Sequence, residues 1–200
     1  MRKKSHILLG RYLADQMSEV YSLQQHRKAF CLGNIMPDLR PSFLTTRHEF
    51  FGTFSQLQEK MRELIERNPE EDNARVYWRR FGEVMHYMAD YFTFPHNRTY
   101  KGLLGAVRNA DTAGQVDVGD MHAGGLLDAD SQLEEAKHFD SFEELVGYIR
   151  ERHACYLESP RCIADDIRFI LRVCYQVIQG IFQLCLRRQF HMEGRPVTAI

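Results

Sequence analysis

Residues 76–96 read VYWRRFGEVMHYMADYFTFPH, and how this stretch folds decides both the architecture and the site. Val76 to Tyr91 reads as one helix that runs into Thr93-Phe94-Pro95-His96. Within it His86 and Asp90 are spaced i,i+4, so both side chains project from one helix face with Cβ atoms roughly 5–6 Å apart. An imidazole nitrogen and a carboxylate oxygen placed that way converge on one ion at zinc bond lengths of about 2.0–2.2 Å. Taken alone, such a pair is more often a hydrogen-bonded core histidine beside a solvated aspartate. His96, just past the expected helix end, is turned by Pro95 and can swing towards the same place.

Helical periodicity continues on both sides of this segment. Ile7, Leu8, Tyr12, Leu13, Met17 and Val20 fall on one stripe of a first helix. A tight segment follows, GNIMPDLRPSF at 33–43, where Pro37 and Pro41 oppose a regular helix. Phe54, Leu57, Met61, Leu64 and Ile65 mark a second amphipathic helix that ends near Asn68-Pro69. From Lys101 to Gly125 the texture changes, with six of the 13 glycines, and this stretch reads as mostly loop, a candidate mobile flap. Ser141-Phe142-Glu143-Glu144 fits a capping box, and Ser159-Pro160 places a cap residue before a proline at the first helical position. Behind it, Ile163, Ile167, Ile170, Cys174, Val177, Ile181 and Leu184 keep a helical stripe for about 25 residues, as an amphipathic core helix should. The tail from Gly194 reads as frayed. The expectation is an all-α, single-domain bundle of roughly five to seven helices over residues 1–195.

Length and composition agree with that architecture. Two hundred residues suit one sizeable domain, and 44% hydrophobic with 26% charged residues is an ordinary soluble composition. The 26 basic and 27 acidic residues nearly cancel, which leaves no electrostatic footprint for duplex nucleic acid or an anionic membrane. Five cysteines (Cys31, Cys155, Cys162, Cys174, Cys185) contain no CxxC pair and read as reduced, with Cys174 and Cys185 on an apolar helix face. The start, MRKKSHILLGRYLADQ, has too short an apolar stretch for a signal peptide, and no apolar run reads as a transmembrane helix. A cytoplasmic location is therefore expected.

The His86–Asp90 pair gains weight from its company. Asp38 and His48 flank the proline-rich turn, and His6 opens the first helix near its apolar stripe. Facing helices of a bundle can build a metal site from such side chains, and four separated segments offering ligands suggest more than one ion. Asp90 is then the candidate bridge, and a water shared by two ions roughly 3.5–4 Å apart becomes a nucleophile.

The order His6, GNIMPDLRPSF with Asp38, His48 and HYMADYFTFPHN resembles the zinc-dependent phospholipase C family, over approximately residues 5–125. Fold relatives of that family include single-strand-specific zinc nucleases. The resemblance implies an all-α fold, a zinc cluster and hydrolysis of phosphodiesters, phospholipids among them. It implies that Asp38, His48, His86 and Asp90 hold one zinc. His6 with the shared Asp90 would hold a second, and His96 with His122 a third. Asp38 would also serve as general base, so Asp38 and Asp90 are the catalytic candidates. In the family the third site takes a glutamate four residues after its second histidine, and this chain has Leu126 there. Secreted members also use a processed N-terminal residue as a ligand through its amine and carbonyl, whereas this chain begins Met1-Arg2-Lys3-Lys4-Ser5. One zinc is expected, with three as the upper bound, and the oligomeric state is left open.

Two other functions fit the same residues: a zinc-stabilised helical binding module that has lost turnover, and a zinc nuclease acting on single strands. Of the remaining histidines, His26 and His191 read as surface residues, His138 as part of a polar turn, and His153 as a core-facing substitute ligand. Tyr91, Phe92, Phe94 and the Phe50-Phe51 pair read as core that also walls the site. Arg79-Arg80 reads as a solvated patch, with an arginine near the cluster able to steady a phosphate.

Overall fold

The computed structural model of the protein describes residues 1, 3–40, 48–67, 73–93, 135–159 and 163–192. All regular structure among them is helical, in eight helices. They are α1 (Lys3–Gln16), α2 (Tyr21–Gln25), α3 (Arg27–Gly33), α4 (Met36–Leu39), α5 (Phe50–Glu66), α6 (Ala74–Tyr91), α7 (Phe142–Glu158) and α8 (Ile163–Met192). The all-α expectation holds, with more and shorter helices near the N-terminus than periodicity alone suggests. Residues 101–125, read as loop and candidate flap, lie outside the described residues.

Helix α6 is the axis of the structure. Asn73 caps it, its side-chain oxygen accepting the Val76 backbone N–H at 3.2 Å. Tyr77, Trp78, Phe81, Val84, Met85, Met88 and Tyr91 of this helix are all buried. Its closest approach is to α3, through two glycines. A Cβ at Gly33 would meet the Arg79 carbonyl oxygen at 2.0 Å, and one at Gly82 would meet the Phe30 carbonyl oxygen at 2.1 Å. Backbone therefore lies against backbone at this crossing, which only glycine permits. The contact sets the end of α3, and hence Asn34, at a fixed height beside His86.

Pro37 does not prevent helix formation. It lies in the first turn of α4, where a missing N–H costs nothing and a fixed φ is already helical. The single turn ends at Leu39, so Asp38 sits on a short rigid step rather than in an extended loop. Gln24 ties α2 back to α1, donating to the carbonyls of Ala14 at 2.7 Å and Met17 at 3.1 Å. These acceptors lie at and just past the C-terminal end of α1, where helix carbonyls run out of intrahelical donors.

Two cap expectations change in detail. Ser141 does accept the Glu144 N–H at 3.2 Å, but the Glu144 carboxylate takes the N–H of Asp140 rather than that of Ser141. Ser159 donates its hydroxyl to the Tyr156 carbonyl at 2.8 Å at the end of α7, while Pro160, expected to open the next helix, lies outside the described residues. Ahead of α7, residues 135–139 run extended against α8. The side-chain amides of Gln176 and Gln183 pair there with the backbone of Glu135, Lys137 and Phe139. This extended segment has no apolar-periodic signal, so sequence patterning does not announce it.

The stripe expected in α8 packs inward through Ile167, Ile170, Cys174, Val177, Ile181 and Leu184. Against the expectation that no apolar run is of transmembrane length, residues 165–190 are long and apolar enough to cross a membrane by length and composition alone. In the structure 56% of that apolar window is buried inside the protein, and Tyr156 donates a 2.6 Å hydrogen bond to Asp166 near its start. Cys31, Cys155, Cys174 and Cys185 are free thiols, while Cys162 lies outside the described residues. Phe50 is buried as expected but Phe51 is 63% exposed, so only one of the pair joins the core.

The backbone at the α3–α6 crossing cannot yield to an added methyl. Gly82→Ala is expected to destabilise the fold by about 3 kcal/mol, read from chemical denaturation. A loss below about 0.5 kcal/mol would show the crossing to be looser than described.

His153 on α7 is buried, stacked on Phe50 at 3.9 Å between ring centroids, and burial pushes its pKa down to about 4. The unfolded chain takes up that proton near pH 6.5, so stability present at neutral pH is lost as pH falls from about 6.5 towards 4. His153→Gln should flatten the slope of unfolding free energy in that window by up to ~1.4 kcal/mol per pH unit. An unchanged slope would mean that His153 charges freely in the fold.

Candidate metal centre

Helix α6 delivers His86 and Asp90 from one face, both essentially fully buried. Helix α4 brings Asp38, the residues preceding α5 bring His48, and α1 brings His6. The ligand-capable atoms of Asp38, His48, His86 and Asp90 all lie within 4.8 Å of one another. Side chains from three separate segments thus meet in this cluster, and His6 approaches it through Asp90, with its Nε2 3.2 Å from Oδ1.

The orientation of His86 is set by its neighbour. Its Nδ1 is 2.8 Å from the Asn34 carbonyl oxygen, which can only accept, so Nδ1 carries the hydrogen. In the neutral ring that leaves the lone pair on Nε2, which points into the cluster. A backbone carbonyl fixing the tautomer of a ligating histidine is the usual outer-shell arrangement of a metal site. Asn34 is wholly buried, and its side chain donates to the Phe30 carbonyl at 3.1 Å.

The distances suit zinc. His86 Nε2 lies 3.1 Å from Asp90 Oδ2, 3.1 Å from His48 Nδ1 and 3.6 Å from Asp38 Oδ1. His48 Nδ1 lies 3.0 Å from Asp90 Oδ2. A tetrahedron with bonds of about 2.0–2.1 Å has edges of about 3.3 Å, and these separations bracket that length. Four lone-pair atoms facing one another at such range repel unless a cation or proton lies among them.

Asp90 divides its two oxygens. Oδ2 faces His48 and His86, while Oδ1 faces His6 Nε2 at 3.2 Å and the Met1 amine at 2.8 Å. His6 is buried and stacks on His86 with centroids 3.9 Å apart, its Nε2 paired with Asp90. Among the described residues its Nδ1 has no hydrogen-bond partner, which is rare and costly for a buried imidazole nitrogen. Burial, then the neighbouring His86 charge, holds the His6 pKa well below its ordinary value against the opposing pull of Asp90. The ring is therefore neutral, as a ligand must be. Burial raises the Asp38 carboxyl above the usual range, with His86 pulling the other way.

Not every candidate is placed. His96, His122 and Leu126 lie outside the described residues. His153 faces the core as expected but packs on Phe50 and Phe92, and it is not among the four clustered residues. His138 is exposed and sits beside Asp140 and Arg187. Two further participants were not among the sequence candidates: Asn34 and Tyr87, whose ring lies 4.7 Å from that of His48. Nothing in a residue type marks a backbone carbonyl as the acceptor that orients a ligating histidine.

The family model for zinc-dependent phospholipase C matches residues 5–163. The chain belongs to the zinc-dependent phospholipase C family. No curated protein and no solved structure matches it. The family match extends past the resemblance legible at residues 5–125 and takes in α7, which contributes no residue to the four-residue cluster.

A phospholipase C family member with this donor set should be stabilised by zinc through mass action, by ~4 kcal/mol when free zinc is 1,000 times its Kd. Chelation is expected to lower Tm and zinc to restore it. His86→Ala should abolish the zinc-dependent rise in Tm, while His153→Gln keeps it. A zinc response that survives His86→Ala would place the metal elsewhere.

Proposed function

We propose that the chain is a zinc-dependent phosphodiester hydrolase acting on phospholipids or related diesters. The observation that supports this reading is the divided carboxylate of Asp90. One oxygen belongs to the His48–His86–Asp38 cluster and the other to His6, as suits a ligand shared by two ions. Zinc held there supplies Lewis acidity towards phosphoryl oxygens and lowers the pKa of water. Asp38 is the least enclosed of the four clustered residues and so is the carboxylate placed to accept a proton from the attacking water. Its pKa, raised by burial, moves towards the range where proton acceptance is efficient. Tyr91 and Phe92 directly follow Asp90 and are fully buried, so they keep water from the inner side of the site.

Asp38, His48, His86 and Asp90 would hold the first zinc, and His6 with Asp90 the second. His96 and His122 remain the candidates for a third. Leu126, standing where the family has a glutamate, favours a second reading: a zinc-stabilised helical module with impaired turnover.

Three substrates separate the readings: a chromogenic phosphodiester, phosphatidylcholine vesicles and a single-stranded oligonucleotide. The zinc-loaded protein is expected to cleave the chromogenic diester and the phospholipid, and Asp90→Asn to lower kcat by about a hundredfold or more. Cleavage of the oligonucleotide alone would point to a nuclease. Tight zinc with no turnover on any substrate would leave the binding module.

A further inference from the structure

A second group of charged residues lies one helical turn from the metal centre. Glu83 shares the face of α6 that carries His86, Tyr87 and Asp90, at spacings of three, four and seven residues. Its carboxylate is buried and receives Arg40 at 2.6 Å and Lys60 at 3.4 Å. Arg40 itself follows Asp38 by two residues. Around these groups is a cavity of about 330 Å³ lined by Arg40, Lys60, Glu63, Arg79, Arg80 and Glu83.

The charges of this lining do not balance. Glu83 is shared by Arg40 and Lys60, and Glu63 takes Arg80 at 3.3 Å. Among the described residues two carboxylates therefore face four cations, and Arg79 makes no ion pair, its Nε being buried without a hydrogen-bond partner. The surplus is two positive charges in a protein whose net charge is −1. Arg guanidinium groups favour phosphate through planar, paired N–H donors. An acyl chain in this cavity would strip water from six charged side chains, so the lipid tail is excluded as its occupant.

Tyr87 stands between the cavity and the metal centre. It follows Glu83 by one turn on α6, and its ring lies 4.7 Å from His48 and 5.6 Å from His86. An anion beside Arg79 and Arg80, which precede His86 by seven and six residues, is thus about two turns, ~10 Å along α6, from the ligands that hold the reacting diester. That spacing suits a substituent on the departing alcohol.

Resting on the hydrolase reading above, we infer that the cavity lined by Arg40, Lys60, Arg79 and Arg80 is a subsite for a phosphate monoester carried by the leaving group. The preferred substrates are then diesters whose alcohol is itself phosphorylated, whether in a phospholipid headgroup or in a soluble diester. The surplus of two positive charges matches a phosphate dianion.

The test compares the zinc-loaded wild type with Arg79→Gln and Lys60→Gln, after circular dichroism shows each variant folded. Vesicles of phosphatidylcholine containing phosphatidylinositol or phosphatidylinositol 4-phosphate supply the lipid arm. A soluble nitrophenyl diester with and without a phosphate on its second alcohol supplies the other. Wild type is expected to favour the phosphorylated member of each pair, and Arg79→Gln to cut that ratio of kcat/KM tenfold or more, mostly through KM. A preference in the vesicle arm alone assigns the subsite to lipid headgroups, and one in the soluble arm alone to free diesters. Ratios unchanged in both variants would overturn the subsite while leaving the hydrolase reading intact. Should wild type cleave nothing, titration of inorganic phosphate by calorimetry still decides the cavity. A salt-sensitive site weakened tenfold in Arg79→Gln supports it, and identical isotherms overturn it.

Discussion

Asp90 holds a carboxylate at 1% exposure, with two imidazoles on one oxygen and an imidazole and an amine on the other. A buried charge of this kind is costly unless it is paired and hydrogen-bonded, and breaking such an arrangement by removing one partner costs several kcal/mol. The surrounding helices are arranged so that the pairing is complete. α6 supplies the carboxylate, while α1, the chain ahead of α5 and α6 itself supply the rings. The core exists around this polar knot rather than beside it.

The fold secures the knot through backbone rather than through long side chains. The Gly33–Gly82 crossing brings α3 and α6 closer than any side chain would allow, and that closeness puts the Asn34 carbonyl on His86 Nδ1. Gly10 completes the arrangement, since a Cβ there would come 3.0 Å from the Asn34 amide nitrogen. Three glycines on three helices thus surround one asparagine, whose carbonyl orients one ligand. A change of a single methyl at these positions would reach the metal centre through packing alone.

Much of this was legible in the residues. The i,i+4 pair in α6, the proline-bounded Asp38 and the stripe of α8 each follow from period and spacing, because helix geometry makes them local. What was not legible is what depends on tertiary approach. Pro37 looked like a helix breaker, but a proline in the first turn has no hydrogen bond to lose. The pair Arg79-Arg80 looked like a solvated patch, yet the fold turns these side chains into a cavity beside Glu83. Phe51 looked like core and is exposed, since the α5 stripe runs through Phe50, Phe54 and Leu57 instead. In each case the local pattern was compatible with two surroundings, and only the neighbouring helix decided between them.

The most direct examination of the account is zinc K-edge X-ray absorption on protein purified without added metal. The account predicts at least one zinc per chain in a shell of nitrogen and oxygen at about 2.0–2.1 Å, with imidazole scattering beyond it. Protein without zinc, or a shell with sulfur at about 2.3 Å, would contradict it, because the cluster around Asp90 contains no thiol.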